Sequence, residues 1–201
     1  MRKRTIALIA ILTALLAACT EKTDYNTLLV RADSLMNLHP DSALHMLESI
    51  STDSLSTKAD RAYHALLLTQ ARDKNYMVQT DDSLIQVAVR YYDTHEDALL
   101  QARAYYYWGC VYRDMKKAEE AVTSFLTANI LAKKTKNIRL QSLICNNIGY
   151  LYYAQDLNEQ ADSIYREAEQ MAVLLKDSLL QAEALSQQGM IRMYKGKSFY
   201  P

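Results

Sequence analysis

The sequence is poor in the residues that interrupt regular backbone structure. Its 201 residues include four glycines, two prolines, two phenylalanines and one tryptophan, whereas tyrosine occurs fifteen times. With so little glycine there is no glycine-rich loop to cradle a phosphate, and the chain contains neither a P-loop nor a G-x-S-x-G segment. Half of the residues are apolar. This balance predicts an all-helical protein of one domain.

The sequence also gives little sign of a metal site, of nucleic-acid binding or of acid-base catalysis. The four histidines lack H-x-x-x-H spacing, and the cysteines lack the paired spacing of a metal site. We therefore expect no metal site and no cofactor. Carboxylate pairs at Asp81-Asp82 and Glu119-Glu120 stand at the starts of predicted helices, where negative charge suits the helix dipole and favours capping. The formal net charge is zero, so the composition does not suggest nucleic-acid binding. We therefore expect a protein that is not an enzyme.

A pattern of small and aromatic residues occurs twice, forty residues apart. It reads Tyr105-x-x-Trp108-Gly109-x-x-Tyr112, Ala121-x-x-x-Phe125 and Ala128, and it returns as Cys145-x-x-Ile148-Gly149-x-x-Tyr152, Ala161-x-x-x-Tyr165 and Ala168. A third start at Leu185-x-x-x-Gly189 puts three of the four glycines in one register. Spacings of three, four and seven residues predict two helices per repeat that pack face to face. Each glycine should admit an aromatic side chain of the partner helix, Phe125 or Tyr165.

This pattern resembles the tetratricopeptide repeat, W-x-x-L-G-x-x-Y followed by A-x-x-x-F. The resemblance implies an antiparallel helix-hairpin solenoid, a right-handed superhelix with a repeat of about 40 residues, that binds a protein or peptide partner. The array would cover residues 25–201. Its parts are two clear repeats at 97–135 and 137–175, degenerate or capping pairs at 25–50 and 56–93, and an incomplete repeat at 178–201.

The amino-terminal residues resemble a bacterial lipoprotein signal. Three basic residues precede an uncharged run at 5–18, which is too short to span a bilayer comfortably. The run ends in Leu16-Ala17-Ala18-Cys19, which resembles the lipobox, whose cysteine is acylated and becomes the new amino terminus. The resemblance implies a lipoprotein signal peptide at 1–18, lipid on Cys19 and a lipidated tether at 19–24. An ordinary signal peptide or an uncleaved anchor is the alternative.

The implied location is the bacterial cell envelope, with the chain lipid-anchored to a membrane and facing the periplasm or the surface. Thr20 after the cysteine favours the outer membrane weakly. In that compartment a disulfide between Cys110 and Cys145 has to be considered. Cys145 faces its own partner helix, whereas Cys110 is rotated about 100° from the corresponding face. The geometry is poor for a disulfide, and we expect two free, mostly buried thiols.

In the tetratricopeptide family, residues one step off the packing face of each first helix line the concave surface. That row forms a candidate partner-binding groove of Tyr63, Arg103, Tyr106, Arg113, Asn146, Tyr150, Tyr153 and Tyr194. A tyrosine-rich strip with arginines could grip an extended peptide, stack on a sugar ring or hold another helix. The alternative is that these tyrosines only cover helix surfaces between repeats.

Two other functions remain open at the level of sequence. The array resembles the sensory part of membrane-bound transcriptional regulators that contain such repeats, in which case the chain would be truncated at Pro201. It is also similar to some glycan-capture lipoproteins, although those are much longer and carry large inserts.

Overall fold

The structure, a computed structural model, describes residues 27–197, with side chains to residue 193. Over that range the chain is all-helical and contains no strand, which confirms the predicted all-α class. The nine α-helices of this range are α1 (Thr27–Leu35), α2 (Pro40–Glu48), α3 (Lys58–Lys74), α4 (Ser83–Tyr92), α5 (Ala98–Asp114), α6 (Ala118–Lys134), α7 (Ile138–Tyr153), α8 (Asn158–Leu175) and α9 (Ser178–Lys197).

Several predicted features lie outside the described residues. They are the signal peptide at 1–18, the lipidated Cys19 with its tether, and the last four residues of the incomplete repeat at 178–201. Among the helices that are described, none combines the length and the apolar character needed to cross a membrane.

The helices start at regular intervals along the chain. From α5 onward, successive helices begin twenty residues apart. Four helices, α3, α5, α7 and α9, are capped alike, because a side-chain oxygen accepts the backbone N–H three residues further on. The capping residues recur forty residues apart and are Thr57, Asp97, Asn137 and Asp177. A cap of this kind stabilises a helix by about 1 kcal/mol, so each repeat carries its own start signal.

The helices also end alike. A residue with positive φ, between 54° and 63°, follows five of them, namely Tyr76, Lys116, Lys136, Asp156 and Lys176. At each turn the next backbone N–H bonds to the carbonyl five residues back, as Lys117 does to Tyr112 at 2.9 Å. This is the Schellman arrangement, which normally uses glycine. The left-handed backbone costs a non-glycine residue about 1–2 kcal/mol, so packing must hold these turns in place.

Helices that are consecutive in the chain form the main contacts, above all α5 with α6 and α7 with α8. A Cβ atom on Gly109 would lie 2.5 Å from a ring carbon of Phe125, and one on Gly149 would lie 2.6 Å from Tyr165. Both rings are fully buried. The prediction that these glycines admit an aromatic side chain of the partner helix is therefore confirmed. At Gly189 a Cβ would meet nothing within 4 Å, because this face of α9 is open.

Two expectations about single side chains have different outcomes. Cys110 and Cys145 are free and buried, as expected, and burial raises the pKa of the Cys145 thiol to about 12. At the start of α4, the carboxylate of Asp82 makes no cap hydrogen bond. It accepts the indole N–H of Trp108 at 2.9 Å, while Asp81 accepts the Ser83 N–H at 2.9 Å. The expected capping thus falls to Asp81, and Asp82 links α4 to α5.

Candidate functional site

A cavity of about 760 Å³ opens along α3, α5, α7 and α9, the first helices of the hairpins. We call it the groove cavity. Its lining residues occupy equivalent positions of the sequence repeat, because many of them are forty residues apart. Examples are the pair Lys74 and Asp114, the trio Tyr107, Asn147 and Gln187, and the pair Leu143 and Glu183. The same helical face is therefore presented by successive repeats.

Four of the predicted groove residues line this cavity, and they differ in exposure. They are Tyr106, Arg113, Asn146 and Tyr150. Tyr150 is 42% exposed, whereas Tyr106 is 4% exposed. The Tyr106 ring packs against Phe125 with ring centroids 5.8 Å apart, and its hydroxyl accepts a hydrogen bond from the Asn147 amide at 3.1 Å. Tyr106 therefore supports the wall, while Tyr150 offers contact area to a partner.

Arg113 is already held by its neighbours. Its guanidinium donates to Asp73 at 2.9 Å, to Asp114 at 3.0 Å and to the side-chain oxygen of Asn147 at 2.6 Å. These bonds join α3, α5 and α7 within the cavity wall. Charge-assisted hydrogen bonds of this kind are about twice as strong as neutral ones. Arg113 thus fixes the spacing of three helices and brings little free charge to a ligand.

Tyr63 and Arg103 lie outside the cavity, in a cluster that ties α1 to α3 and α5. Arg103 donates to both carboxylate oxygens of Asp33, at 2.7 and 3.0 Å, and also to Gln70 at 2.7 Å. Tyr63 donates its hydroxyl to Asp33 at 2.7 Å. Burial alone would raise the pKa of Asp33, but Arg103 and Tyr63 lower it below its ordinary value. The cluster anchors the divergent first hairpin to the array.

The other two predicted groove residues do not meet the cavity wall in what is described. Tyr153 packs against the cluster of Ala161, Tyr165 and Ile191, where α8 and α9 meet. The side chain of Tyr194 lies outside the described residues.

Sequence reasoning missed three cations of the cavity wall, Lys74, Lys116 and Arg139. Arg139 is ion-paired with Asp177, whereas Lys74 is half-buried and makes no hydrogen bond or ion pair with another described residue. Burial and the nearby charge of Arg139 lower the pKa of Lys74, although Asp73 and Glu183 partly offset this. The sequence did contain the signal, because Lys74 lies eleven residues after Tyr63 and Arg139 lies seven before Asn146, on the same helical faces as the predicted row.

The wall of the groove cavity combines phenol rings, side-chain amides and charges of both signs. Such a surface suits noncovalent recognition, since aromatic bodies supply contact area and the polar groups supply direction. No protein-family model matches this chain, and a search of curated proteins returns no relative. The functional proposal is therefore based on the groove cavity and on the sequence repeat.

Proposed function

We propose that this protein is a lipid-anchored scaffold of the bacterial cell envelope that binds a protein or peptide partner in the groove cavity and catalyses no reaction. Its array would be a tetratricopeptide-like solenoid of helix hairpins wound as a right-handed superhelix. One observation carries the proposal: equivalent positions of successive repeats line one continuous cavity. Repeat arrays use such surfaces to bind extended partners.

The repeated local geometry supports the solenoid. Side-chain caps recur forty residues apart, positive-φ turns recur twenty or forty residues apart, and two glycines receive aromatic rings in the same way. A hairpin with these features cannot bury both of its faces alone, so neighbours must stack. The stack would place α3, α5, α7 and α9 side by side on one surface.

The dimensions of the cavity support a peptide-sized occupant. Its volume of about 760 Å³ falls within the roughly 300–1,000 Å³ of typical ligand sites. The exposed Tyr76 ring and the half-exposed Tyr150 ring offer rigid contact area at a low entropic cost. A segment of a partner protein fits this description better than a flat protein surface would.

The binding proposal is tested by truncating Tyr150, an exposed aromatic side chain of the wall. Tyr150→Ala should weaken partner binding by about 2 kcal/mol, or about 30-fold, as for an interface hot spot. Tyr106→Ala is less suitable, because Tyr106 is buried and its loss would also lower stability. Ile130→Ala, which truncates a 61% exposed side chain on α6, is the matched control. Binding is measured by quantitative recovery of crosslinked partners from native membranes.

Circular dichroism checks that each variant stays helical. Unchanged recovery by a folded Tyr150→Ala variant, or equal losses with Ile130→Ala, would contradict binding in the groove cavity.

The anchoring proposal is tested at Cys19. Acyl chains contribute about 0.8 kcal/mol per buried methylene, so two or more chains anchor a protein stably. Cys19→Ser should abolish lipid attachment and leave an uncleaved or soluble species, as read by mass spectrometry and detergent partitioning. A wild-type chain whose intact mass shows no acyl groups would contradict the proposal.

A further inference from the structure

Lys74 and Glu183 both line the groove cavity, from the first and the last of its four helices. Lys74 lies on α3 and Glu183 on α9, with α5 and α7 between them. Neither side chain makes a hydrogen bond or ion pair with another described residue. Lys74 is half-buried, whereas Glu183 is exposed. Desolvation by the surrounding protein nonetheless raises the pKa of Glu183, and the charge of Lys74 offsets part of that rise.

Other charged groups of the cavity are already engaged or stand at its edge. Arg113 is paired with Asp73 and Asp114, and Arg139 is paired with Asp177. Lys116 lies at the rim and is exposed to solvent. Within the described wall, Lys74 is therefore the half-buried cation, and Glu183 the anion, that no described residue pairs.

Asn146 is a third polar group of the wall that lacks a partner. It lies on α7, is 5% exposed, and neither its amide nitrogen nor its amide oxygen makes a hydrogen bond. A side-chain amide offers two donors and one acceptor oxygen, and leaving such a group unpaired in the interior is destabilising. Because the amide makes no hydrogen bond, turning it toward the cavity breaks none. A ligand that supplies both a donor and an acceptor would remove this cost.

We propose that the groove cavity recognises an extended peptide segment with a negative and a positive group at its two ends, with a carboxylate at Lys74, a cationic group at Glu183 and a peptide amide at Asn146. This inference rests on the proposed function and specifies the chemistry of the partner. The two charges can come from the termini of a short free peptide, or from acidic and basic side chains of a longer chain. Both sources present the same groups to the wall.

Two matched peptide sets distinguish these sources. One set is alanine peptides of three to six residues with free termini, together with their acetylated and amidated forms. The other is acetylated and amidated peptides with Asp and Lys separated by one to four alanines, together with versions in which Asn or Gln replaces one charge. Dissociation constants are measured by calorimetry on the full lipidated chain in detergent. At least one doubly charged set should bind, and removing either charge should weaken binding at least tenfold.

Protein variants assign each charge. Lys74→Gln should remove the preference for the negative group and keep that for the positive one, and Glu183→Gln should do the opposite. Asn146→Leu should weaken both kinds of peptide alike. The exposed pair Lys134→Gln and Glu119→Gln on α6 serves as the control and should leave binding unchanged. Absence of binding by every peptide, or Lys74 and Glu183 variants that bind like wild type, would overturn the proposal.

A double-mutant cycle between Lys74 and Glu183 excludes a direct bridge across the cavity. In the absence of peptide, the two substitutions should change the unfolding midpoint nearly additively, with only the weak coupling of two charges that act on each other without forming an ion pair. Strong coupling would show that the two groups pair with each other, which would overturn the assignment. If Tyr150→Ala loses partners from native membranes while no peptide binds, this inference fails and the proposed function stands. If Tyr150→Ala retains every partner, the proposed function itself fails.

Discussion

Gly109→Ala tests the close approach of α5 and α6, on which each repeat depends. The new Cβ atom would lie 2.5, 2.6 and 2.9 Å from three ring carbons of Phe125. That ring is fully buried, and the Tyr106 ring packs beside it. The ring therefore has no open space to turn into, and α5 and α6 must move apart to admit the methyl group.

Two opposing effects set the size of the change. Replacing glycine by alanine in a helix interior stabilises by about 0.5–1 kcal/mol, whereas overpacking a well-filled core costs about 1–3 kcal/mol. Three contacts below 3.0 Å place Gly109 toward the upper end of that cost. We expect Gly109→Ala to lower the free energy of unfolding by about 1–2 kcal/mol, the difference between these two effects.

Gly189→Ala is the matched control, because the same exchange on α9 meets nothing within 4 Å. Only the gain in helix propensity remains there, so this variant should be more stable by about 0.5–1 kcal/mol. Urea unfolding followed by circular dichroism measures both, with midpoints compared at equal slope. The two substitutions should have opposite signs. Equal shifts in the same direction would refute the reasoning.

Three further substitutions test other contacts by the same unfolding assay. Asp33→Asn removes the anion that Arg103 binds and should lower the free energy of unfolding by about 1.5–3 kcal/mol. Because the pKa of Asp33 is lowered in the fold, wild type should have this extra stability above about pH 4 and lose it as the pH falls through the lowered pKa. A difference between wild type and variant that does not depend on pH would contradict this. Tyr165→Phe should be neutral or stabilising, because the buried hydroxyl has no partner and Phe125 fills the equivalent position; a clear loss would be inconsistent with that. Lys116→Gly should stabilise by about 1 kcal/mol, because glycine adopts its φ of 63° without strain, and destabilisation would count against a strained turn.

The sequence was sufficient to predict the paired helices and the glycines at which an aromatic ring of the partner helix packs against the backbone. Small and aromatic residues at fixed spacing determine where two helices can approach, and that relation is local. It correctly joined Gly109 with Phe125 and Gly149 with Tyr165. The turns were harder to predict, because Tyr76 and four Lys or Asp residues adopt the left-handed backbone where glycine is the usual signal. Their hydrogen bonds and the packing of the flanking helices hold that conformation.

The groove was predicted only in part. Spacing along a helix shows on which face a residue lies, but it does not show which residues of other helices cover that face. Tyr106 does point toward the cavity, but Asn147 of the next repeat covers it. Arg103 is drawn instead to Asp33, seventy residues away on the divergent first hairpin. That contact depends on how α1 packs against α3 and α5, and no spacing within one repeat encodes it.

Photo-crosslinking from inside the groove cavity tests the central claim most directly. A photoreactive amino acid placed at Tyr150 in the full lipidated chain should form covalent adducts with a polypeptide partner in native membranes. The same residue placed at Ile130, on the exposed face of α6, should form none at equal expression. Adducts at Tyr150 alone are the result we expect. Equal yields at both positions, or adducts only at Ile130, would contradict binding in the groove cavity.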